Sequence, residues 1–497
     1  MPRRVGTPQE PKRAGRRPQR LRPLLPWLAL FAAALCVRSL RFGLVFPGGE
    51  VRFPFGADEL YHLRRIWFTV VNFPRTLTFD LYMNHPEGAP PHWPPLFDWS
   101  IAALARALTG PGDQHAVEVV AVWMPPLIGT LAVLAAAWLA RRSFSPAAGW
   151  ATGALLVLLP VHVWHSSLGM VDHHVAVGLF ATLLLAAAMP LAAPLAAGGR
   201  PRGALAAGAM STASILLWPG ALLQVLVVQV YLVAQLLASR AQAVAVARAR
   251  SLAVMHAVAA VLLLPFCAGR EWKDFGSLSP WVLSNFQPLW FGAGAAALAL
   301  VATLWSRPPL GARPMRRAGC ACAVAALGLG AAWFGLPGLA AGVREAAGWF
   351  EADAFLGVVS ELKPLLHPEG RFEPAYGQGS FSYLFWIYPF ALGGLAWRAL
   401  AERRGDVGLL LTASSAALVA TLYQQRFGDV SGAGFALVMA PALTEGLRAA
   451  GRRLPAARVY WLGFALLAGV AASLPAVSDL RSDAIASAVS LRGQRLG

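Results

Sequence analysis

Residues 169–191 read "GMVDHHVAVGLFATLLLAAAMPL". One carboxylate and two imidazoles, Asp172, His173 and His174, stand directly before a run without a single charge. A helix needs roughly 20 predominantly apolar residues to cross a bilayer, and this run supplies them. Ionisable groups beside hydrocarbon are costly and by default mark function. The stretch therefore raises fold and function together: a membrane span, with polar chemistry at its mouth.

Similar runs recur from Leu24 to Ala476. Thirteen of them are centred near residues 35, 128, 157, 185, 211, 229, 259, 296, 328, 392, 416, 440 and 468. The runs near 211 and 229 are separated only by Trp218-Pro219-Gly220. The chain is 57% hydrophobic and 13% charged, where a soluble domain carries about 25% charge. Its mean hydropathy is +0.55. The expected fold is an all-α polytopic membrane protein with about thirteen transmembrane helices. The formal charge of +18 fits a membrane topology better than nucleic acid, which is not expected as a partner. Arg3, Arg4, Lys12, Arg13, Arg16, Arg17, Arg20 and Arg22 precede the first run and place the N-terminus in the cytoplasm. That run is too long for a signal peptide and has no cleavage pattern after it. Cys36, Cys267, Cys320 and Cys322 have no spacing partner for zinc or a disulfide.

Alternation from a cytoplasmic N-terminus puts Arg141–Arg142, Arg200, Arg202, Arg240–Arg250, Arg307–Arg317, Arg398–Arg404 and Arg448–Arg458 on the inner side, as the positive-inside rule requires. The acids were not used to build this topology. Only Glu10, Glu402, Asp406 and Glu445 fall inside, and twenty of the 24 fall outside. Acids avoid anionic inner leaflets, so the asymmetry has that simple reading too. Two outer loops, about 46–115 and 337–379, are long enough to be functional. Their aromatic and leucine spacing predicts short interfacial helices. The expected organisation is a basic cytoplasmic arm (1–23), a membrane catalytic domain (24–477) and a short extracytoplasmic tail (478–497).

Four polar clusters reach the outer side on this topology. "FGADELYHLRRI" (55–66) opens the first loop, with Asp58 early, and "PPLFDWS" (94–100) follows. Asp58 is a candidate site residue or a helix N-cap. In "GMVDHH", Asp172 and His174 are two apart, and such neighbours share no helix face. They converge on one ion only from a turn or extended backbone, which a span entrance supplies. Carboxylate plus imidazole suits Mn²⁺ or Mg²⁺. In that reading His173 is the neighbour pointing elsewhere; the competing reading is a capping Asp172 with both histidines at the interface. "VVSELKPLL" (358–366) puts Glu361 in an apolar, helix-like stretch, as a site carboxylate or an exposed face. "YQQRFGD" (423–429) puts Arg426 at membrane depth on the acidic side, where a guanidinium grips phosphate bidentately or pairs with Asp429. Together, Asp58, Asp172, His174, Glu361 and Arg426 describe a metal site beside an anion site, suited to a lipid-linked diphosphate.

These elements, in this order, resemble the catalytic subunit of oligosaccharyltransferase and its single-subunit archaeal and bacterial relatives, which are GT-C membrane glycosyltransferases. "DELYHLRRI" is similar to the family's first-loop Asp motif. "YMNHPEGAPPHWPPLFD" (82–98) is similar to its Tyr-Pro-x-Gly and Pro-Pro-Leu segments. "GMVDHH" resembles its second acidic motif, and "VVSE" its Ser-Val-Ser-Glu motif. The resemblance covers about residues 24–477. It implies that Asp58, Asp172 and His174 ligate the metal, that Asp58 and Glu361 engage the acceptor amide as catalytic residues, and that Arg426 binds the lipid diphosphate. It implies attack by an acceptor nitrogen on a sugar carbon, with polyprenyl diphosphate leaving. Its partners would be a polyprenyl-diphosphate-linked glycan, an acceptor protein or peptide, and the bilayer of the inner or plasma membrane.

Family members usually carry a C-terminal domain with a Trp-Trp-Asp-Tyr-Gly motif that reads the acceptor sequon. This sequence has no Trp-Trp pair and ends soon after its last apolar run. "WKDFG" (272–276) imitates the motif out of order. Either a partner supplies acceptor recognition or the acceptor is not an Asn sequon. Two other readings stand beside protein N-glycosylation. One is a GT-C transferase using a polyprenyl-monophosphate sugar on a lipid, glycan or hydroxyl acceptor. The other is a lipid-linked sugar transporter, which predicts polar groups at mid-span.

Overall fold

The computed structural model describes residues 24–472 apart from 55, 194–200, 271, 274, 309, 337, 349–358 and 369. The basic arm (1–23) and the tail (478–497) lie outside the described residues. α1 (Leu25–Arg38) and the short α2 (Phe42–Val45) lead into the first long loop, which holds α3 (Ala57–Asn72) and α4 (Leu96–Thr109). Then come α5 (Gln114–Ser143), α6 (Pro146–Leu158), α7 (Pro160–His165), α8 (His174–Ala192), α9 (Pro201–Leu217), α10 (Leu222–Leu237), α11 (Gln242–Cys267), α12 (Phe286–Trp305) and α13 (Pro314–Gly335). The second long loop carries α14 (Leu339–Gly348), a 3-10 turn at Ser360–Leu362, and α15 (Pro374–Phe381). α16 (Tyr388–Ala401), α17 (Gly405–Tyr423), α18 (Gly428–Ala450) and α19 (Ala456–Ala471) follow.

Every one of the predicted span centres falls on one of these helices. Among the described residues, nine helical stretches, built on α5, α8, α10 to α13 and α16 to α18, are long and apolar enough to cross a membrane. The chain is an integral membrane protein. α1, α6 and α19 are apolar but shorter, and α9 has 17 residues. The run centred near 157 is not one helix. Pro160 has no N–H to continue the ladder and pushes Leu159 out of the helical region, so Leu159 is extended and α7 restarts at Pro160. The pair near 211 and 229 is two helices, parted at an extended Trp218 and a 3-10 turn.

Local chemistry explains the ends. Asp113 caps α5 by accepting from the Ala116 N–H at 3.0 Å, and Ser145 caps α6 from Ala148 at 3.1 Å. Arg141 and Arg142 close α5, where cations favour the helix C-terminus. The main core joins residues of α5, α6, α8, α9, α11, α12, α17 and α18.

A second core matters more for the site. Ile66 and Val70 of α3 and Phe97 and Ile101 of α4 are buried against Val117 and Val122 of α5, with Val171 and Val177 around the start of α8. Full burial of each such side chain is worth about 1.5–3 kcal/mol in water. The first long loop is thus folded onto the bundle by its own short helices, α3 and α4. Arg64 Nε and Nη2 donate to Asp80 at 2.8 and 3.0 Å and fasten the rest of that loop to α3.

A candidate metal and anion site

The site is built where the chain enters α8. Gly169 has φ +88°, a conformation that favours glycine, and its N–H donates to Val122 O of α5 at 3.2 Å. After this turn Asp172 lies outside the helix and His174 is its first residue. Asp172 therefore does not cap α8 through its side chain. Its carboxylate is ringed by imidazoles. His173 Nδ1 lies 2.7 Å and His62 Nε2 3.4 Å from Oδ1, and His174 Nε2 lies 3.5 Å from Oδ2. His173 is thus not turned away. A turn, unlike a helix, lets consecutive side chains converge, and the rings of His173 and His174 stack at 4.8 Å.

α3 supplies the next layer. Asp58 and His62 are four apart and share one helix face. The N-cap of α3 is Gly56, so Asp58 sits inside the first turn rather than capping it. Its carboxyl is raised above the usual range by burial and by the charges of Asp172 and Glu361. Neighbouring Glu59 is pushed up to about 7, mostly by burial. His62 Nδ1 lies 2.6 Å from Asp98 Oδ1 on α4, and Arg65 Nη1 lies 2.9 Å from Asp98 Oδ2. Burial opposes the His62 imidazolium, yet Asp98 and Asp172 outweigh it and push it up to about 9.

The second long loop brings the remaining groups. Gln425 N–H donates to Lys363 O at 3.0 Å, and Leu365 N–H donates to Leu422 O at 3.2 Å. These bonds clip the Glu361 turn to the end of α17. Glu361 Oε2 then stands 3.3 Å from His174 Nε2, and Oε1 stands 3.8 Å from Arg426 Nη2. Burial resists its ionisation, but His174 and Arg426 win and hold the Glu361 carboxyl at about 2. The Arg426 guanidinium lies over the Trp218 ring at 5.0 Å. Trp218 folds back because Gly220 leaves room: a Cβ there would lie 2.2 Å from the ring. Asp429, the partner the sequence alternative offered to Arg426, also faces His174. Its Oδ2 lies 3.5 Å from His174 Nδ1.

Four of the predicted residues, Asp172, His174, Glu361 and Arg426, are therefore linked by contacts of 3.3–3.8 Å, and Asp58 lies near enough to feel the charges of Asp172 and Glu361. Among the described residues, the tightest group of potential ligands is His62, Asp172 and His173, with donor atoms within 4.8 Å of one another. Buried His173 Nε2 has no hydrogen-bond partner. Carboxylate oxygens, imidazole nitrogens and an orphaned ring nitrogen form a donor set that fits a divalent cation. Sequence reasoning gave no role to His62 or Asp98. The spacing of Asp58 and His62 was the available signal for the first, and the second had none. "WKDFG" packs on the first loop: Trp272 stacks on His92 at 5.6 Å, and Phe275 meets the same ring at 5.4 Å. Asp274 lies outside the described residues. Beside Arg426 an apolar cavity of about 90 Å³ starts at Phe427 and Val430 and continues past Leu223, Gln224 and Leu437.

Residues 53–282 match the sequence model of the family described as oligosaccharyl transferase STT3, N-terminal. Over 160 residues the chain is 35% identical to dolichyl-phosphooligosaccharide-protein glycotransferase 1 of Archaeoglobus fulgidus, covering 32% of this chain and 26% of that protein. The fold resembles the archaeal oligosaccharyltransferase AglB of Archaeoglobus fulgidus, solved with an inhibitory peptide and a dolichol-phosphate. The TM-score is 0.76 at 21% identity, covering 94% of this chain and 56% of that one. A structure of the Archaeoglobus fulgidus oligosaccharyltransferase with Zn and sulfate gives 0.68 at 20% identity, covering 90% and 52%. The chain spans about half the length of these solved structures.

Proposed function

We propose that this chain, which belongs through its N-terminal membrane part to the STT3/AglB oligosaccharyltransferase family, is a metal-dependent glycosyltransferase. It transfers a glycan from a polyprenyl-diphosphate donor to a protein asparagine. One observation carries the reading. Glu361 bridges His174, beside Asp172, and Arg426, beside the apolar cavity. A carboxylate and imidazole cluster thus adjoins one guanidinium, whose chain neighbour Phe427 lines a small apolar cavity.

Asp58, Asp172 and His174 would hold the divalent ion, with His62 and His173 completing the donor set. Of Mn²⁺ and Mg²⁺, the imidazoles favour Mn²⁺, because Mg²⁺ prefers all-oxygen shells. When bound, such an ion supplies Lewis-acid stabilisation of the leaving diphosphate. Arg426, backed by Trp218, binds the phosphate oxygens. The lipid tail follows the apolar cavity. Glu361 is kept ionised and accepts a hydrogen bond from the acceptor amide, as does Asp58. The amide nitrogen attacks the anomeric carbon, and the bond from that carbon to the diphosphate oxygen breaks. The diphosphate takes the electron pair, and the nitrogen's proton passes to a carboxylate. We place this site on the extracytoplasmic face of the inner or plasma membrane, with the N-terminus cytoplasmic. The organisation proposed with it is a basic cytoplasmic arm (1–23), a membrane catalytic domain (24–477) and an extracytoplasmic tail (478–497).

The test is incubation of the purified chain with lipid-linked oligosaccharide, Mn²⁺ and an Asn-x-Thr peptide. The expected result is a mass-shifted peptide and free polyprenyl diphosphate. Asp58→Ala and Glu361→Ala should each lose at least about 100-fold in rate, the scale of removing one group that acts in the transition state. Full activity in both variants overturns the site assignment. A monophosphate lipid as by-product overturns the donor in favour of the monophosphate-sugar transferase.

A further inference from the structure

The two ends of α17 carry arginines of different kinds. Arg426 follows its C-terminal end, and Arg403 and Arg404 precede its first residue, Gly405. At 1.5 Å per residue the helix separates them by about 28 Å, close to the thickness of a bilayer's hydrocarbon core. At the Arg403 end a cavity of about 390 Å³ opens between α10, α16 and α17.

The cavity is built rather than incidental. The Tyr231 hydroxyl donates to Gly405 O at 2.9 Å and accepts from Gln235 Nε2 at 3.3 Å. A Cβ at Gly408 would lie 2.2 Å from that hydroxyl, so the ring reaches its place only against a glycine. The walls differ in character. Tyr231, Gln235 and Thr412 are polar, whereas Leu411 and Ala399 are apolar, and Leu400 at the rim is 77% exposed. The arginines differ too. Arg404 is spoken for, since Nε and Nη2 bind Asp406 at 2.9 and 2.7 Å. Nearby Arg398 pairs with Glu402 and Glu445. Arg403 has no carboxylate partner among the described residues. Its backbone is held at φ +53°, in the left-handed region that bulky residues rarely adopt.

We propose that this cavity binds the phosphate head group of an anionic phospholipid, in the leaflet opposite the candidate active site. Arg403 supplies the charge. The second Gln235 Nε2 hydrogen and the Thr412 hydroxyl supply hydrogen bonds, and Tyr231, fixed on Gly405 O, holds Gln235 in place. The opening past Leu400 admits the acyl chains. Basic pockets between membrane helices bind anionic head groups in this way. The inference stands on the cavity alone and does not depend on the proposed glycosyl transfer.

The experiment uses the full chain reconstituted with equimolar phosphatidylcholine and phosphatidylglycerol, with bound lipid counted by native mass spectrometry. Phosphatidylglycerol should be retained roughly fivefold over phosphatidylcholine, the ratio that one arginine near an anionic head group supports. Arg403→Gly, which suits the left-handed backbone, should abolish the preference, and Arg403→Lys should keep most of it. Arg142→Gln changes an arginine over Trp138 at the same end of the bundle but outside the cavity, and should leave the preference intact. Equal retention of both lipids by the wild type, or an unchanged preference in Arg403→Gly, overturns the proposal. So does an equal loss in Arg142→Gln. Stripping of the bound lipid by inorganic phosphate alone overturns the lipid assignment in favour of a soluble phosphate.

Discussion

Asp172 meets more partners than any other carboxylate in the cluster, and its orientation depends on residues it does not touch. Asp98 lies 2.6 Å from His62 Nδ1 and holds the proton there, so that a cation displacing the other ring proton would meet Nε2, which faces Asp172 and His173. A carboxylate behind an imidazole raises its basicity and fixes its ring. Asp98→Asn should therefore weaken Mn²⁺ binding about 10- to 100-fold, the usual effect of removing such a partner. Calorimetric titration measures it, and excess Mn²⁺ should restore glycan transfer. Unchanged affinity would show that Asp98 serves only to neutralise Arg65. Sequence made Asp172 and His174 legible because they sit in one short string. It left His62 and Asp98 without a role because their meeting depends on how α3 packs on α4, across 36 positions. The pairing of Arg426 with Asp429 looked natural at three residues' separation. What that spacing did not reveal is that the first turn of α18 brings Asp429 to His174 of α8, and that the Glu361 turn is clipped beside Arg426.

Element packing turns these contacts into a site. α8 and α18 approach closely at Gly178, where a Cβ would lie 3.0 Å from Asp429 O. That approach lets Asp429 reach His174 from a neighbouring helix. Gly178→Val adds branches with no space to enter. Overpacking of this kind costs about 1–3 kcal/mol and should push the helices apart at the site. The expected outcome is a lower melting temperature together with reduced transfer, while Mn²⁺ binding through Asp172 and His62 falls less. An unchanged melting temperature means that the helices adjust freely, and that their approach does not hold Asp429 in place. Helix positions were readable from apolar runs alone, and each predicted centre is helical. The break at Pro160 was less visible, because the run stays apolar on both sides and only the missing N–H interrupts it.

At the scale of the molecule, the polar groups divide between two ends of the bundle. One end holds the folded first loop, the Glu361 turn and the candidate site. The other holds the arginines after α5, α10, α16 and α18 and before α13. Positive charge marks the cytoplasmic end, so the site should face outward. This assignment rests on charge alone, and the fold itself reads the same either way up. Two positions decide it. Tyr82 in the first loop is 76% exposed, and Met315 at the start of α13 is 85% exposed. In a background with the native cysteines replaced, Tyr82→Cys should react with a membrane-impermeant maleimide in intact cells. Met315→Cys should react only after the cells are opened. The reverse pattern would invert the molecule and carry the site to the cytoplasm. A donor assembled on the outer leaflet could not then reach Arg426. Labelling of both positions in intact cells would break the alternation of spans on which the whole topology depends.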